Sequence, residues 1–281
     1  MDDVKLPRIK NCIALFIAIF SLFACSVNTE LRVKRHPVDT KEVQSIHLPF
    51  RPEKIACSKL DNRLYVWEAG SNQIHLYQDS KRINTIGGLG FGESNFTKLS
   101  DITTTFNGRL LALDSFQKKI KKFDSSGMHL ETFALNELNN PTLFDISRDG
   151  ALYIYDATTN EVVIYDDSFK EIIYRFGKFQ FVEPSSISVT RYNVTIYDKK
   201  TDTTYIHNSF GKLEEKLEGY WQVDNYLQKY QLSNGIIKHN ETSKNLQTSA
   251  TPKRSFFIKD NLIMSISERE ATLSEIIYEK K

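Results

Sequence analysis

Four stretches of this chain repeat one another, and the repeat constrains its fold more than any single motif. They span residues 61–83, 107–130, 149–172 and 192–213. One strand in each closes on an acidic residue, Glu68, Asp114, Asp156 and Asp198, at steps of 46, 42 and 42 residues. A period of ~40–50 residues holding several short strands is the spacing of propeller blades. The third stretch can be taken apart residue by residue. Residues 143–147 are a short apolar run, Asp149-Gly150 marks a tight hairpin turn, and 151–155 alternates and is rich in β-formers. Asp156 ends that strand, where a carboxylate bonds backbone N–H groups two residues on and fixes the next turn. Residues 161–165 and 171–176 supply the third and fourth strands.

The first hairpin turn of each blade is expected at Asp61-Asn62, Asn107-Gly108, Asp149-Gly150, Arg191-Tyr192, Asn234-Gly235 and Asp260-Asn261. The last interval is short, which predicts a fifth blade trimmed in its outer strands. Residues 256–258, 262–267 and 272–278 give three strands at the end, and 43–48 stands unpaired at the start. Adding 43–48 to the last blade closes the ring and removes an exposed edge. The expectation is an all-β, six-bladed β-propeller over residues 43–281, with five blades as the rival count.

The N-terminus predicts where such a domain works. Lys5, Arg8 and Lys10 precede an apolar run at 13–24 that only Ser21 interrupts. A basic start, an apolar core of ~7–15 residues and a small residue before the cut make a secretory signal. The run is shorter than the ~20 residues of a membrane span. Leu22-Phe23-Ala24-Cys25 resembles the lipobox of bacterial lipoproteins, where the cysteine is lipidated and becomes the first residue. Phe23 departs from the smaller residue usual there. The expected organisation is a signal peptide at 1–24, lipid on Cys25 and a flexible tether at 25–42, a stretch without apolar periodicity that Pro37 interrupts. Ordinary cleavage after Ser26 and an uncleaved anchor are the alternatives. The expected location is the bacterial cell envelope, lipid-anchored, on the periplasmic or surface side of the membrane.

Removing 1–24 leaves 257 residues, enough for one large β domain. It also removes Cys12, and with Cys25 lipidated Cys57 has no cysteine to pair with. Cys57 sits in a strand candidate and reads as a small buried apolar residue. The formal net charge is +2 with the signs interspersed, unlike the basic face of a nucleic-acid reader. The one basic run, Lys118, Lys119, Lys121 and Lys122, reads as a solvated strand edge with Ile120 and Phe123 packed inward.

Catalytic motifs are sparse. The glycines at 87–92 lack the Lys-Ser/Thr and the helix of a phosphate loop and read as an inter-blade connection. The six histidines show no ligand-pair spacing, and no Gly-x-Ser-x-Gly elbow occurs. Asp101 and Asp145 read as equivalent positions just before Ile102 and Ile146, on the innermost strands that face a propeller's channel. Two carboxylates would converge there, with Lys54 and Ser186 in the matching slots of blades one and four. A hard cation wants about six or more oxygens, so two carboxylates are thin support, and no metal or other cofactor is expected. Tyr220-Trp221, Tyr226 and Tyr230 cluster between blades four and five, where they either meet a sugar or protein partner or plug the gap between blades.

The residues Gly87-Gly88-Leu89-Gly90-Phe91-Gly92-Glu93-Ser94-Asn95-Phe96, then Asp101-Ile102, Asn107-Gly108, Leu113-Asp114, Ile120, Phe123-Asp124 and Gly127, carry a family resemblance. They resemble NHL-type repeat propellers, and more closely the six-bladed propeller lipoproteins of Bacteroidetes-like bacteria. The likeness covers roughly residues 50–213, and blades five and six match poorly. It implies a fold and a binding or scaffold role more than a reaction. Gluconolactonase-like propellers and the amidating lyases of the NHL fold do use a channel metal. The leading expectation is a binding or scaffold module for an envelope protein or an extracellular glycan, with Asp101, Asp145, Tyr220 and Trp221 as ligand-binding candidates. The alternative is a metal-dependent lactonase- or lyase-like enzyme in the propeller channel.

Overall fold

The computed structural model describes residues 35–242, 245–246 and 253–279. The signal segment and Cys25 lie outside the described residues. The chain begins with β1 (Pro37–His47). Blade one holds β2 (Pro52–Ser58), β3 (Arg63–Glu68), β4 (Gln73–Gln78) and β5 (Lys81–Gly87). Blade two holds β6 (Leu99–Thr104), β7 (Leu110–Asp114), β8 (Lys119–Phe123) and β9 (His129–Ala134). Blade three holds β10 (Pro141–Ile146), β11 (Leu152–Asp156), β12 (Glu161–Tyr165) and β13 (Ile172–Phe176). Blade four holds β14 (Pro184–Val189), β15 (Asn193–Asp198), β16 (Thr203–Asn208) and β17 (Leu213–Glu218). Blade five holds β18 (Tyr220–Val223), β19 (Lys229–Ser233) and β20 (Ile236–His239). Blade six holds β21 (Ser255–Lys259), β22 (Leu262–Ile266) and β23 (Glu270–Tyr278), with β1 hydrogen-bonded to β23 as its outer strand. Six small antiparallel sheets make the six-bladed β-propeller.

The ring closes through β1, which runs antiparallel to β23 from Pro37 opposite Tyr278 to His47 opposite Glu270. The strand starts at Pro37, so residues 37–42 belong to the blade and not to the expected tether. Glu42 faces Ser274 in an unbroken run from Asp39, and backbone pairing over that length outweighs the polar composition that suggested a linker. The proline costs nothing at the first position of an outer strand.

Burial follows layer. Strands β7, β11 and β12 are buried at every residue, whereas β17 alternates half-buried and exposed positions. Middle strands are covered on both faces by neighbouring blades, and outer strands only brush them. The core therefore lies between blades. Leu64, Val66 and Ile55 of blade one pack with Met264 and Leu273 of blade six. Tyr153, Val162 and Ile164 of blade three pack with Ile187, Val194 and Tyr205 of blade four. Buried Cys57 belongs to the first of these clusters, and burial pushes its thiol up to about 12.

The repeated aspartates fix the blade joints. Asp198 accepts from the amides of Val182 and Glu183, which lead into its own blade, and of Lys200 and Thr201, which form the next turn. Asp114 and Asp156 do the same for Thr97 and Lys98, and for Asn139, Asn140 and Thr158. Glu68 differs, since its longer side chain turns to His75 Nε2 at 3.0 Å.

Two expectations need correcting. Asn234-Gly235 joins β19 to β20 and is the second turn of blade five, not its first. The first is 224–228, whose amides at Tyr226 and Gln228 donate to Asp224. It opens on Asp224-Asn225, the same pair as Asp61-Asn62 and Asp260-Asn261, ten residues before the glycine-bearing turn that the sequence reading favours. The lysine run is also not a solvated edge. Lys121 is 2% exposed, and its ammonium donates to the carbonyls of Gly92 at 2.8 Å and Asn95 at 2.5 Å. It pins the glycine-rich connection between blades one and two.

Candidate functional site

The inner strands β2, β6, β10, β14, β18 and β21 all begin at one end of the ring and line the central channel. A cavity of about 330 Å³ opens at that end. Every blade contributes: Lys54 and Trp67, Asp101, Leu143, Ser186 with Tyr197, Tyr220, then Arg254 with Phe257. A second, shallower groove of about 540 Å³ runs over blade five and shares Tyr197, Tyr220 and Arg254 with the cavity. The groove exists because blade five is short. Gly219 follows β17 directly and its amide bonds Asp202, so no long connection covers the start of β18.

Below the cavity the channel is closed by two ion pairs. Lys54 Nζ lies 2.5 Å from Asp101 Oδ1. Lys259 Nζ lies 2.9 Å from Asp145 Oδ1, which also accepts from Thr103 Oγ1 at 2.6 Å. The spaces deeper in the channel and at its far mouth are about 20 Å³ each, room for a single water. The cavity is therefore blind, and a ligand reaches it from one face only.

Asp101 and Asp145 are not equivalent. The anchors Asp114 and Asp156 are 42 residues apart, whereas Asp101 and Asp145 are 44 apart. Asp101 pairs with Leu113, and the residue in its slot in blade three is Leu143, opposite Tyr155. Asp145 sits one pleat deeper, at the level of Thr103, so only Asp101 lines the cavity. Lys54 and Ser186 do share the slot of Asp101, opposite Trp67 and Tyr197. Both carboxylates also join blades. Asp101 accepts from the amides of Ile102 and Phe144, and Asp145 from that of Val189.

The environments differ electrostatically. Burial pushes the Asp101 carboxyl above its usual range, against the pull of the Lys54 ammonium and the two amides. For Asp145 burial pushes the same way, but Lys259, Thr103, Lys54 and the Val189 amide together hold it below the usual range. Neither carboxylate has its oxygens free for a cation. Among the described residues no group of three or more His, Cys, Asp or Glu is placed to hold a metal ion.

Of the aromatic candidates, Tyr220 lines the cavity and the groove, and its hydroxyl donates to the Phe256 carbonyl at 2.6 Å. Burial pushes that phenol above its ordinary range. Trp221 lies next along β18 and outside both linings, with Nε1 on the Glu218 carbonyl at 2.7 Å. Tyr226 packs on Tyr278, and buried Tyr230 donates to Asp224, both away from the cavity. Trp67, Tyr197, Arg254 and Phe257 escaped the sequence reading. Their one shared signal is position, beside the first or second strand of a blade at the cavity end.

No protein-family model and no curated protein sequence matches the chain. Solved structures do. A streptogramin B lyase superposes with a TM-score of 0.57 at 11% identity, over 85% of this chain and 98% of that one. Virginiamycin B lyase from Staphylococcus aureus gives 0.55 at 11%, over 85% and 100%. Its catalytically inactive histidine-to-alanine form with quinupristin gives 0.54 at 14%, over 82% and 83%. At such identities the likeness shows the propeller fold alone.

Proposed function

We propose that this chain is an exported, lipid-anchored binding module of a bacterial envelope, and that its cavity-bearing face engages an envelope protein or an extracellular glycan. The observation that carries it is a blind, aromatic-walled cavity whose buried carboxylate, Asp101, is already paired with Lys54. Trp67, Tyr197, Tyr220 and Phe257 supply stacking surface. The Bacteroidetes-type lipoprotein likeness and the lipobox at Cys25 support attachment to a membrane. β1 begins at the opposite end of the ring, where Pro37 pairs with Tyr278, which leaves the cavity on the far side from the point where the chain arrives.

A lyase-like activity is the second reading, favoured by the names of the structural neighbours. The neighbour that is described as inactive has lost a histidine, and among the described residues no histidine of this chain lines the cavity or the groove. Binding therefore stands ahead of catalysis. The test is crosslinking and capture from native membranes with the wild type and with Trp67→Ala/Tyr197→Ala. A partner or glycan lost in the double variant supports binding at the cavity. Equal recovery by both would overturn it. Cys25→Ala is expected to release the protein from membranes, and unchanged partitioning would overturn the lipid anchor.

A further inference from the structure

The cavity and the groove over blade five meet at Tyr197, Tyr220 and Arg254. The rings of Tyr197 and Tyr220 lie 4.8 Å apart and tilted by 58°, which forms an aromatic saddle between the two spaces. Each space falls within the ~300–1,000 Å³ that holds a drug-sized ligand, so a single small ring would leave most of the pair unfilled.

Charge narrows the ligand. Lys54 is bound to Asp101 and sits 5.0 Å over the Phe257 ring. Arg254 donates to the Pro52 carbonyl, and burial and the neighbouring Arg51 push its guanidinium below its ordinary range against the pull of Glu53 and Glu268. The Tyr197 hydroxyl donates to Asp202 at 2.8 Å. With Lys54 paired to Asp101, the lining leaves Glu53, Asp202 and Glu218 against Arg254, a negative balance that penalises an anionic ligand. A cation crossing from one space to the other would have to pass Arg254 at the junction, and a ligand without net charge avoids both. Both spaces also offer short uncharged donors and acceptors, Ser185 and Ser255 in the cavity and Gln231 and Ser233 in the groove. An extended peptide is a poor match, because the free edges of the inner strands run down a channel whose deeper spaces hold about one water each. A sugar ring suits the walls, with an apolar C–H face to lay on an aromatic ring and hydroxyls around its rim.

We infer that the cavity and the groove form one continuous cleft for a linear, uncharged oligosaccharide, with one end seated beside Trp67 and Phe257 and the chain crossing the Tyr197–Tyr220 saddle onto blade five. This rests on the binding reading above and names its ligand class. The test is calorimetric titration of the mature protein with neutral β-glucan, mannan and chitin oligomers of graded length, and with acidic oligogalacturonates. One neutral series is expected to gain about tenfold or more in affinity between the dimer and the hexamer, and to exceed the acidic series by a similar factor. Trp67→Ala should weaken every length, with Phe257→Leu in its place if the first variant melts early. Gln231→Ala should weaken only the longer oligomers. Affinity independent of length would overturn the continuous cleft, and preference for the acidic series would overturn the uncharged ligand. If no oligomer binds while membrane capture still recovers a protein through the cavity face, this inference fails and the binding module stands. If neither occurs, both fail.

Discussion

Lys259 and Asp145 meet across the channel at 2.9 Å, from blades six and three on opposite sides of the ring. The pair ties together parts of the chain 114 residues apart and, through Thr103 and Val189, the two blades that flank blade three. Lys259→Met leaves the Asp145 carboxylate buried without its cation, and is expected to cost about 3–5 kcal/mol in denaturant unfolding. Adding Asp145→Asn should recover much of that loss, because it removes the unpaired charge and keeps an acceptor for Thr103 and the Val189 amide. A double variant as unstable as the single one would show that the pair contributes through shape.

Asp198→Ala is expected to cost about 2–4 kcal/mol, since four backbone amides lose their acceptor at one buried joint. Burial works against this carboxylate, but the amides hold it below the usual range. Glu68→Gln in the matching slot of blade one should cost far less, since among the described residues its carboxylate bonds His75 alone, in a part-exposed setting. Equal losses by thermal melting would mean that the acidic residue acts through turn propensity alone.

His207 makes a pH prediction. Burial, aided by Lys216, pushes its imidazole down from 6.5 to about 4. Nε2 bonds Gln180 Oε1 at 2.9 Å and Nδ1 has no partner among the described residues, so the folded chain holds the ring neutral. Between pH 4 and 6.5 the unfolded state binds the proton and the folded state does not. The stability this residue contributes is present above pH 6.5 and is lost as pH falls toward 4, by about 3 kcal/mol in all. His207→Leu should flatten that part of the stability–pH curve. An unchanged slope in the variant would assign the loss to other groups.

Ring closure gives a fourth test. A chain beginning at Arg35 is expected to melt with the full-length protein, whereas one beginning at Leu48 loses β1 and exposes the edge of β23. The loss should reach several kcal/mol, from a run of ladder bonds and the buried side chain of Ile46. A synthetic peptide of residues 37–47 should restore part of it. Identical melting of the two chains would show that the ring holds without its outer strand.

These features differ in how readable they were. The blades were legible because their signals are local: an aspartate, a turn and alternating strands within about twenty residues. The outer strand at 43–48 was legible because an unpaired strand at one end matched a missing one at the other. Asp101 and Asp145 were misplaced because matching Ile102 to Ile146 ignored the spacing of the anchors, which a step of 42 residues between Asp114 and Asp156 defines. Lys121 looked solvated because its acceptors, Gly92 and Asn95, belong to a loop more than twenty residues upstream. The cavity was illegible for the same reason on a larger scale. Lys54 and Arg254 share one wall while lying at opposite ends of the domain, and no local pattern links them.

The last prediction concerns metal. Asp101 spends its oxygens on Lys54, Ile102 and Phe144, and Asp145 spends its own on Lys259, Thr103 and Val189. A divalent cation would have to displace an ammonium from each and would remain near it, at a Coulomb cost of roughly 1–4 kcal/mol per contact of about 4 Å. A cation bound to the folded state alone would stabilise it by about 2.7 kcal/mol at a hundredfold excess over its dissociation constant. Melting with chelator, and then with millimolar calcium, magnesium or zinc, is expected to show no such shift. A rise of several degrees that vanishes in Asp101→Asn/Asp145→Asn would reverse the order of the two functional readings and place a lyase- or lactonase-like reaction in the channel.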